Sequence, residues 1–262
     1  MSELNRYRFF KSKAMYAFNR GDIEDALNYI YFASTIAWNK MLSIHHGIWY
    51  DDEMESLLFE IGRLVSKKRS FHKKGSPHSK NRKAVYIASH LYDTGGHSRV
   101  LKDWISILFH YFTAQYVYIT NVMNEDTFAP YIMSRLEQNG AIIKQLSRKD
   151  SYIERIKELG EWIKEDAPDV IILFIHPNDV ITVSTLLSFE ALPCIIFFNH
   201  ADHSFWLGKS VADLFVEFRD EGARVSRESR NIPDDRLTVI PLTTEVRLQD
   251  AKRGTFQLPE SA

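Results

Sequence analysis

The chain has 262 residues, 45% hydrophobic, 13% aromatic and 26% charged, a soluble globular composition that excludes disordered, collagen-like and coiled-coil classes. Lys and Arg number 33 against 34 Asp and Glu, a net charge of −1, so no global field draws the chain to nucleic acid and no nucleic-acid partner is expected. The single cysteine, Cys194, forms neither an internal disulfide nor a multi-cysteine zinc site. With no signal-peptide pattern and no uncharged run of about 18 apolar residues, the expected location is the cytoplasm.

Residues 4–41 repeat apolar side chains at three- and four-residue spacing (Ile23, Ala26, Leu27, Ile30, Ala33, Ala37, Met41) around Gly21-Asp22, which predicts a helical hairpin. A third helix is expected from Asp51 to Val65: Asp51, Asp52 and Glu53 suit its positive end, and Met54, Leu57, Leu58, Ile61, Leu64 and Val65 form one stripe. The small residues of the hairpin are similar to a tetratricopeptide unit, but one copy cannot bury its face, so residues 1–65 are expected as a helical segment and not a repeat array. Residues 66–83 hold eight Lys or Arg and no acid around Gly75, Ser76 and Pro77. They read as a solvated linker; the second reading is a peripheral contact with anionic lipid, or with nucleic acid, and only Phe71 interrupts the charge.

From Ala84 the pattern changes. The runs AVYIAS, QYVYITN, AIIKQLS, VIILFIH, CIIFFNH, DLFVEF and LTVIPL alternate with helical stretches at Ser98–Tyr111, before Gly140, at Ser151–Glu165, around Val183–Glu190 and at Glu221–Asn231. Runs apolar on both sides and separated by helices predict a sheet covered on both faces. Residues 84–245 are therefore expected as a seven-stranded, doubly wound, mostly parallel α/β domain, with 246–262 a tail. In such sheets ligands lie beyond the carboxyl ends of the strands, here the loops after Ser89, His176 and His200.

Gly95-Gly96 stands before a helix that His97 or Ser98 is expected to cap; paired glycines let a ligand reach the backbone, and the helix terminus offers N–H groups to an anion. The same residues also fit a simple turn. Asn199, His200, Asp202 and His203 crowd the loop after an apolar strand, a loop expected to be accessible, where two histidines and an acid suggest function. H-x-x-H without a third ligand is poor evidence for zinc, so no metal is expected. Gly208-Lys209-Ser210 fails as a phosphate loop because His203 occupies the first glycine position. His176, Pro177, Asn178 and Asp179 read first as the cap of the next helix and second as a pocket wall. Cys194 is expected to be an inert buried thiol, and Trp38, Trp49 and Trp162 core or docking residues.

The segments KAVYIASHLYDTGGHSRV, NHADHSFWLG and ADLFVEFRDEGARVSRESRNIPDDRLTVIPL together resemble the N-terminal half of bacterial glycosyltransferases of the GT-B fold, in the retaining family that uses nucleotide sugars. The resemblance covers about residues 83–245; its third segment, with Arg224, Arg230, Pro233 and Arg236, is the most specific, and the N-terminal helices look like the leader of some such enzymes. It implies a Rossmann-like domain whose glycine loop (Gly95, Gly96, with His97) lies over the donor diphosphate, and a histidine facing the sugar, His200 or His203, with Asp202 in the same loop. After the last strand the chain ends in GTFQLPESA, where the family begins a second Rossmann-like domain. The resemblance thus implies an acceptor-side half, inactive alone and without a cofactor of its own. Its partners are a sugar or glycan acceptor, and a nucleotide sugar held with the second domain. Two alternatives stand beside it: a noncatalytic module presenting a helical groove on an α/β scaffold, and half of a nucleotide-sugar epimerase.

Overall fold

The computed structural model describes residues 2–38, 47–66, 69–70, 81–124 and 129–242. Strands β1 (Lys83–Ala88), β2 (Ala114–Ile119), β3 (Ala141–Gln145), β4 (Val170–Phe174), β5 (Cys194–Phe198), β6 (Leu214–Glu217) and β7 (Leu237–Val239) form one sheet in the order β3-β2-β1-β4-β5-β6-β7. Every neighbouring pair is parallel, so the sheet is parallel throughout. Side chains alternate between faces at period two: Val85 and Ile87 enter one apolar core, Ala84, Tyr86 and Ala88 the other. The buried polar groups on the second face are matched, with the Tyr86 hydroxyl donating to Gln115 Oε1 (2.8 Å) and Gln115 Nε2 to the Ile105 carbonyl (3.0 Å).

Helices α4 (Gly96–Leu108) and α5 (Pro130–Gln138) contribute Leu101, Ile105, Ile132 and Leu136 to that second core. Helices α6 (Tyr152–Asp166) and α7 (Val180–Leu187) contribute Ile156, Leu159, Ile181 and Val183 to the first. Helices α1 (Glu3–Asn19), α2 (Ile23–Trp38) and α3 (Asp52–Ser66) join that same core through Ala14, Ala17, Leu27, Ile30, Leu58 and Ile61. Polar contacts reinforce the junction: Glu24 of α2 accepts the Tyr152 and Ile153 N–H groups (2.7 and 3.1 Å) at the start of α6, where a carboxylate meets the positive helix end. Asp51 caps α3 by accepting from Glu53 and Met54 N–H (3.0 Å each), so the helix begins one residue later than the spacing suggested.

Within the basic stretch, Arg69 is buried, against the expectation of a solvated linker. Its guanidinium lies over Gly160, where an added Cβ would stand 1.6 Å from Nη1, and it donates to the carbonyls of Ile156 (3.2 Å) and Lys157 (2.9 Å). Its main chain bridges Ser188 and Glu190 (3.2 and 3.0 Å). Gly75, Ser76, Pro77 and Phe71, like Met41 and the tail 246–262, lie outside the described residues. Cys194 is a second correction: it opens β5 and is exposed, although the burial it retains, with Asp213 nearby, raises its pKa and keeps the thiol a poor nucleophile. Among the described residues no helix is long and apolar enough to cross a membrane.

Candidate functional site

The strand order reverses between β1 and β4, the switch point beyond whose carboxyl ends ligands of such sheets are expected. A knot of buried hydroxyls ties those ends together. Asp179 Oδ2 accepts from Ser89 after β1 (2.5 Å), Thr120 after β2 (2.8 Å) and Thr182 in α7 (2.9 Å), while Oδ1 caps α7 through the Thr182 N–H (2.9 Å). The capping expected of Asp179 is thus present, with a long-range role beyond it. Ser89 Oγ in turn accepts the His176 N–H (2.7 Å). A carboxylate with every neighbour donating holds three strand ends in one geometry.

Helix α4 starts at Gly96 with Gly95 as its N-cap, and no side chain caps it. His97 and Ser98 therefore do not play the expected capping role. The Ser98 hydroxyl instead accepts the Tyr92 N–H (2.9 Å), and His97 Nε2 donates to the His90 carbonyl (3.0 Å). Among the described residues no side chain bonds the positive end of the helix. A Cβ on Gly96 would meet nothing within 4 Å, whereas one on Gly95 would stand 3.0 Å from Tyr92 Cβ, so Gly95 serves the turn and Gly96 leaves the approach open. From Gly96 an apolar cleft of about 380 Å³ runs along α4 past Arg99, Trp104, Phe198 and Ile240.

The His97 ring stacks on His200 with centroids 5.2 Å apart. Burial first, then His97 and His176, lowers the His200 pKa to about 3, and burial also lowers His97 and His176. All three are neutral imidazoles at neutral pH. His200 Nδ1 is buried with no hydrogen-bond partner among the described residues. The loop expected to be accessible is largely closed: Asn199, Asp202, Ser204 and Trp206 are buried, and His203 stands outside with its side chain 57% exposed.

What closes the loop is α8 (Asp220–Arg230) and the residues before it. Arg219 grips Asp202 with both Nε (2.5 Å) and Nη2 (2.8 Å), and His203 Nδ1 lies 3.1 Å from the same carboxylate. Burial alone would raise the Asp202 pKa, but the bonds from Arg219 and His203 bring it below the ordinary value. Glu217 accepts from Asn199 Nδ2 (2.9 and 3.1 Å) and the Ser226 hydroxyl (2.5 Å). Arg230 lies between the rings of Trp49 and Trp206 and donates to the carbonyls of Asp202 (2.9 Å) and Ser204 (2.6 Å). Asp202 thus anchors the loop, and Trp49 is a docking residue as expected.

Gly208-Lys209-Ser210 turns its N–H groups inward, with Gly208 at φ +111°, and cradles a carboxylate of the chain itself. Glu55 of α3 accepts from Gly208 (2.8 Å), Lys209 (3.0 Å) and Ser210 (2.7 Å). The segment is an anion nest filled from within. Among the described residues no group of three or more His, Cys, Asp or Glu is placed to hold a metal ion.

No family model and no curated protein matches this chain. Among solved structures it is similar to the apo form of the lipopolysaccharide outer core galactosyltransferase WaaB, at 14% identity and a TM-score of 0.46, over 62% of this chain and 46% of that one. It is also similar to a mutant O-GlcNAc transferase from Thermobaculum terrenum, at 12% identity and a TM-score of 0.44, over 90% of this chain and 44% of that one. The chain thus spans under half the length of either structure.

Proposed function

We propose that this chain is the acceptor-side half of a GT-B glycosyltransferase, which moves a sugar from a nucleotide-sugar donor to an acceptor hydroxyl in the cytoplasm. One observation carries the reading: the uncapped start of α4 at Gly96 stands beside the stacked His97 and His200 at the switch point of the sheet. N–H groups at a helix start suit a diphosphate, and their fixed dipoles stabilise the charge that develops on it as the sugar leaves. Neutral imidazoles orient sugar hydroxyls without adding charge. Asp202, held by Arg219, keeps the His200 loop in place. A second domain supplies the nucleotide pocket, so the chain alone holds the donor weakly.

Amide chemical shifts recorded during titration with UDP-glucose test this. The expected result is a weak response, with a Kd on the order of millimolar, centred on Gly95, Gly96 and His97. Silence of these amides, or a response confined to the opposite end of the sheet, removes the donor site from this loop.

A further inference from the structure

Helix α2 reaches the switch point through Thr35 and Trp38. The Thr35 hydroxyl donates to the Tyr31 carbonyl (2.8 Å), which can only accept. The Thr35 oxygen then serves as acceptor for Asn178 Nδ2 (2.8 Å), and Asn178 must present Oδ1 to His176 Nδ1, 2.6 Å away. A carbonyl oxygen at that distance requires the proton on Nδ1. A neutral imidazole has one such proton, so Nε2 carries a lone pair. No described residue hydrogen-bonds Nε2, and unlike His200 Nδ1 it is not sealed from solvent. Trp38 stands edge-on to the imidazole at 4.5 Å and 85°, which limits rotation of the ring.

We propose that α2 fixes His176 as a permanent hydrogen-bond acceptor at the switch point, and that it takes a hydroxyl group of the bound ligand. The ligand class rests on the sugar-transfer reading; the tautomer does not. Two chemistries then lie side by side. The N–H groups at the start of α4 donate to an anion, whereas His176 Nε2 accepts from an O–H donor and disfavours a phosphate oxygen. The N-terminal helices are accordingly part of the site, since they set which group His176 offers.

Long-range proton–nitrogen NMR of the histidine-labelled chain reads the tautomer without any ligand. The expected result is neutral His176 protonated on Nδ1. Asn178→Asp, which keeps an acceptor, preserves that proton position; Thr35→Val, which frees the amide to turn over, populates the other tautomer, with melting curves checking that each variant folds. Glucose is the ligand probe: it should shift His176 Nε2 in the parent, with affinity lowered on the order of tenfold in Thr35→Val. A proton on Nε2 in the parent overturns the proposal and leaves the sugar-transfer reading standing. So does a glucose response at Gly95 and Gly96 with none at His176. A proton on Nδ1 with no response to glucose anywhere at the switch point overturns the hydroxyl subsite together with the sugar-transfer reading, and shows that the ligand class and not the geometry was at fault.

Discussion

The His97 and His200 rings lie face to face at 5.2 Å and 24° from parallel, one in the first turn of α4 after β1 and the other just after β5, the two strands that flank β4. Helix start and strand end are thereby coupled through two uncharged aromatic rings. Neither ring can take a proton without placing charge against its part-buried partner, so acid acts on the stack as a unit.

That coupling sets the pH dependence of stability. The folded His200 pKa lies near 3 against an ordinary 6.5, so between these values the unfolded chain binds the proton that the folded chain refuses. Stability is full above about pH 6.5 and falls as the pH drops towards 3, by at most about 1.4 kcal/mol per pH unit for this group. His97 and His176, also lowered by burial, steepen the upper part of the fall. His200→Phe keeps a ring against His97 and removes the proton site. Its urea midpoint should change less than the parent's between about pH 7 and pH 5; equal changes in both proteins contradict the assignment.

Glu55 joins α3 to the loop at 208–210 through three N–H groups. Glu55→Ala leaves the buried Gly208 N–H and the part-buried Lys209 and Ser210 N–H groups without their carboxylate, and the expected loss is about 1–3 kcal/mol, the cost of the one fully buried donor left unmatched. Glu55→Gln keeps one acceptor oxygen and should lose less. Urea unfolding of the three proteins decides the matter, and a Glu55→Ala midpoint equal to the parent's would remove the nest from the account.

Gly160 and Arg69 form a pair in which the missing Cβ makes room for the guanidinium. Gly160→Ala should expel Arg69 and cost about 1–3 kcal/mol despite the better helix propensity of alanine. In an Arg69→Ala background the same change should cost nothing or stabilise, a coupling readable in a double-mutant cycle. Additive losses mean that the two residues do not share the space.

The strands were legible because a sheet covered on both faces leaves uninterrupted apolar runs, and the seven runs read from the sequence are the seven strands. Local polar spacing also carried Asp179 as a cap and Gly95-Gly96 as a strand-to-helix turn. Partners distant in sequence were not legible. Nothing near Asp179 announces Ser89 and Thr120, and nothing near Glu55 announces Gly208. The polar loop after β5 read as accessible because its own residues are polar; it is buried because Arg219 and Arg230 bring matching donors from another part of the chain. His97 and Ser98 looked like caps by position, yet the Tyr92 N–H and the His90 carbonyl claim their polar atoms.

Three substitutions separate chemistry from anchoring in the loop after β5, measured by thermal melting and, on the proposed sugar-transfer reading, by initial rates in the presence of the second domain that reading calls for. His203→Ala removes an exposed ring bonded to Asp202, which keeps both bonds from Arg219; its stability should stay within about 0.5 kcal/mol of the parent and its turnover close to it. Asp202→Asn weakens the grip of Arg219 on a buried side chain, so about 1–3 kcal/mol of stability should be lost, with a rise in KM as the loop loosens. His200→Ala removes the imidazole that stacks on His97 beside the Gly95-Gly96 turn, and on the proposed reading turnover should fall on the order of 10²–10⁴-fold. The stability cost of this change is partly offset, because the unpartnered Nδ1 leaves with the ring. The decisive comparison is between the two histidines. Full turnover in His200→Ala with a large loss in His203→Ala places the sugar on the outer side of the loop and reverses the assignment made from burial.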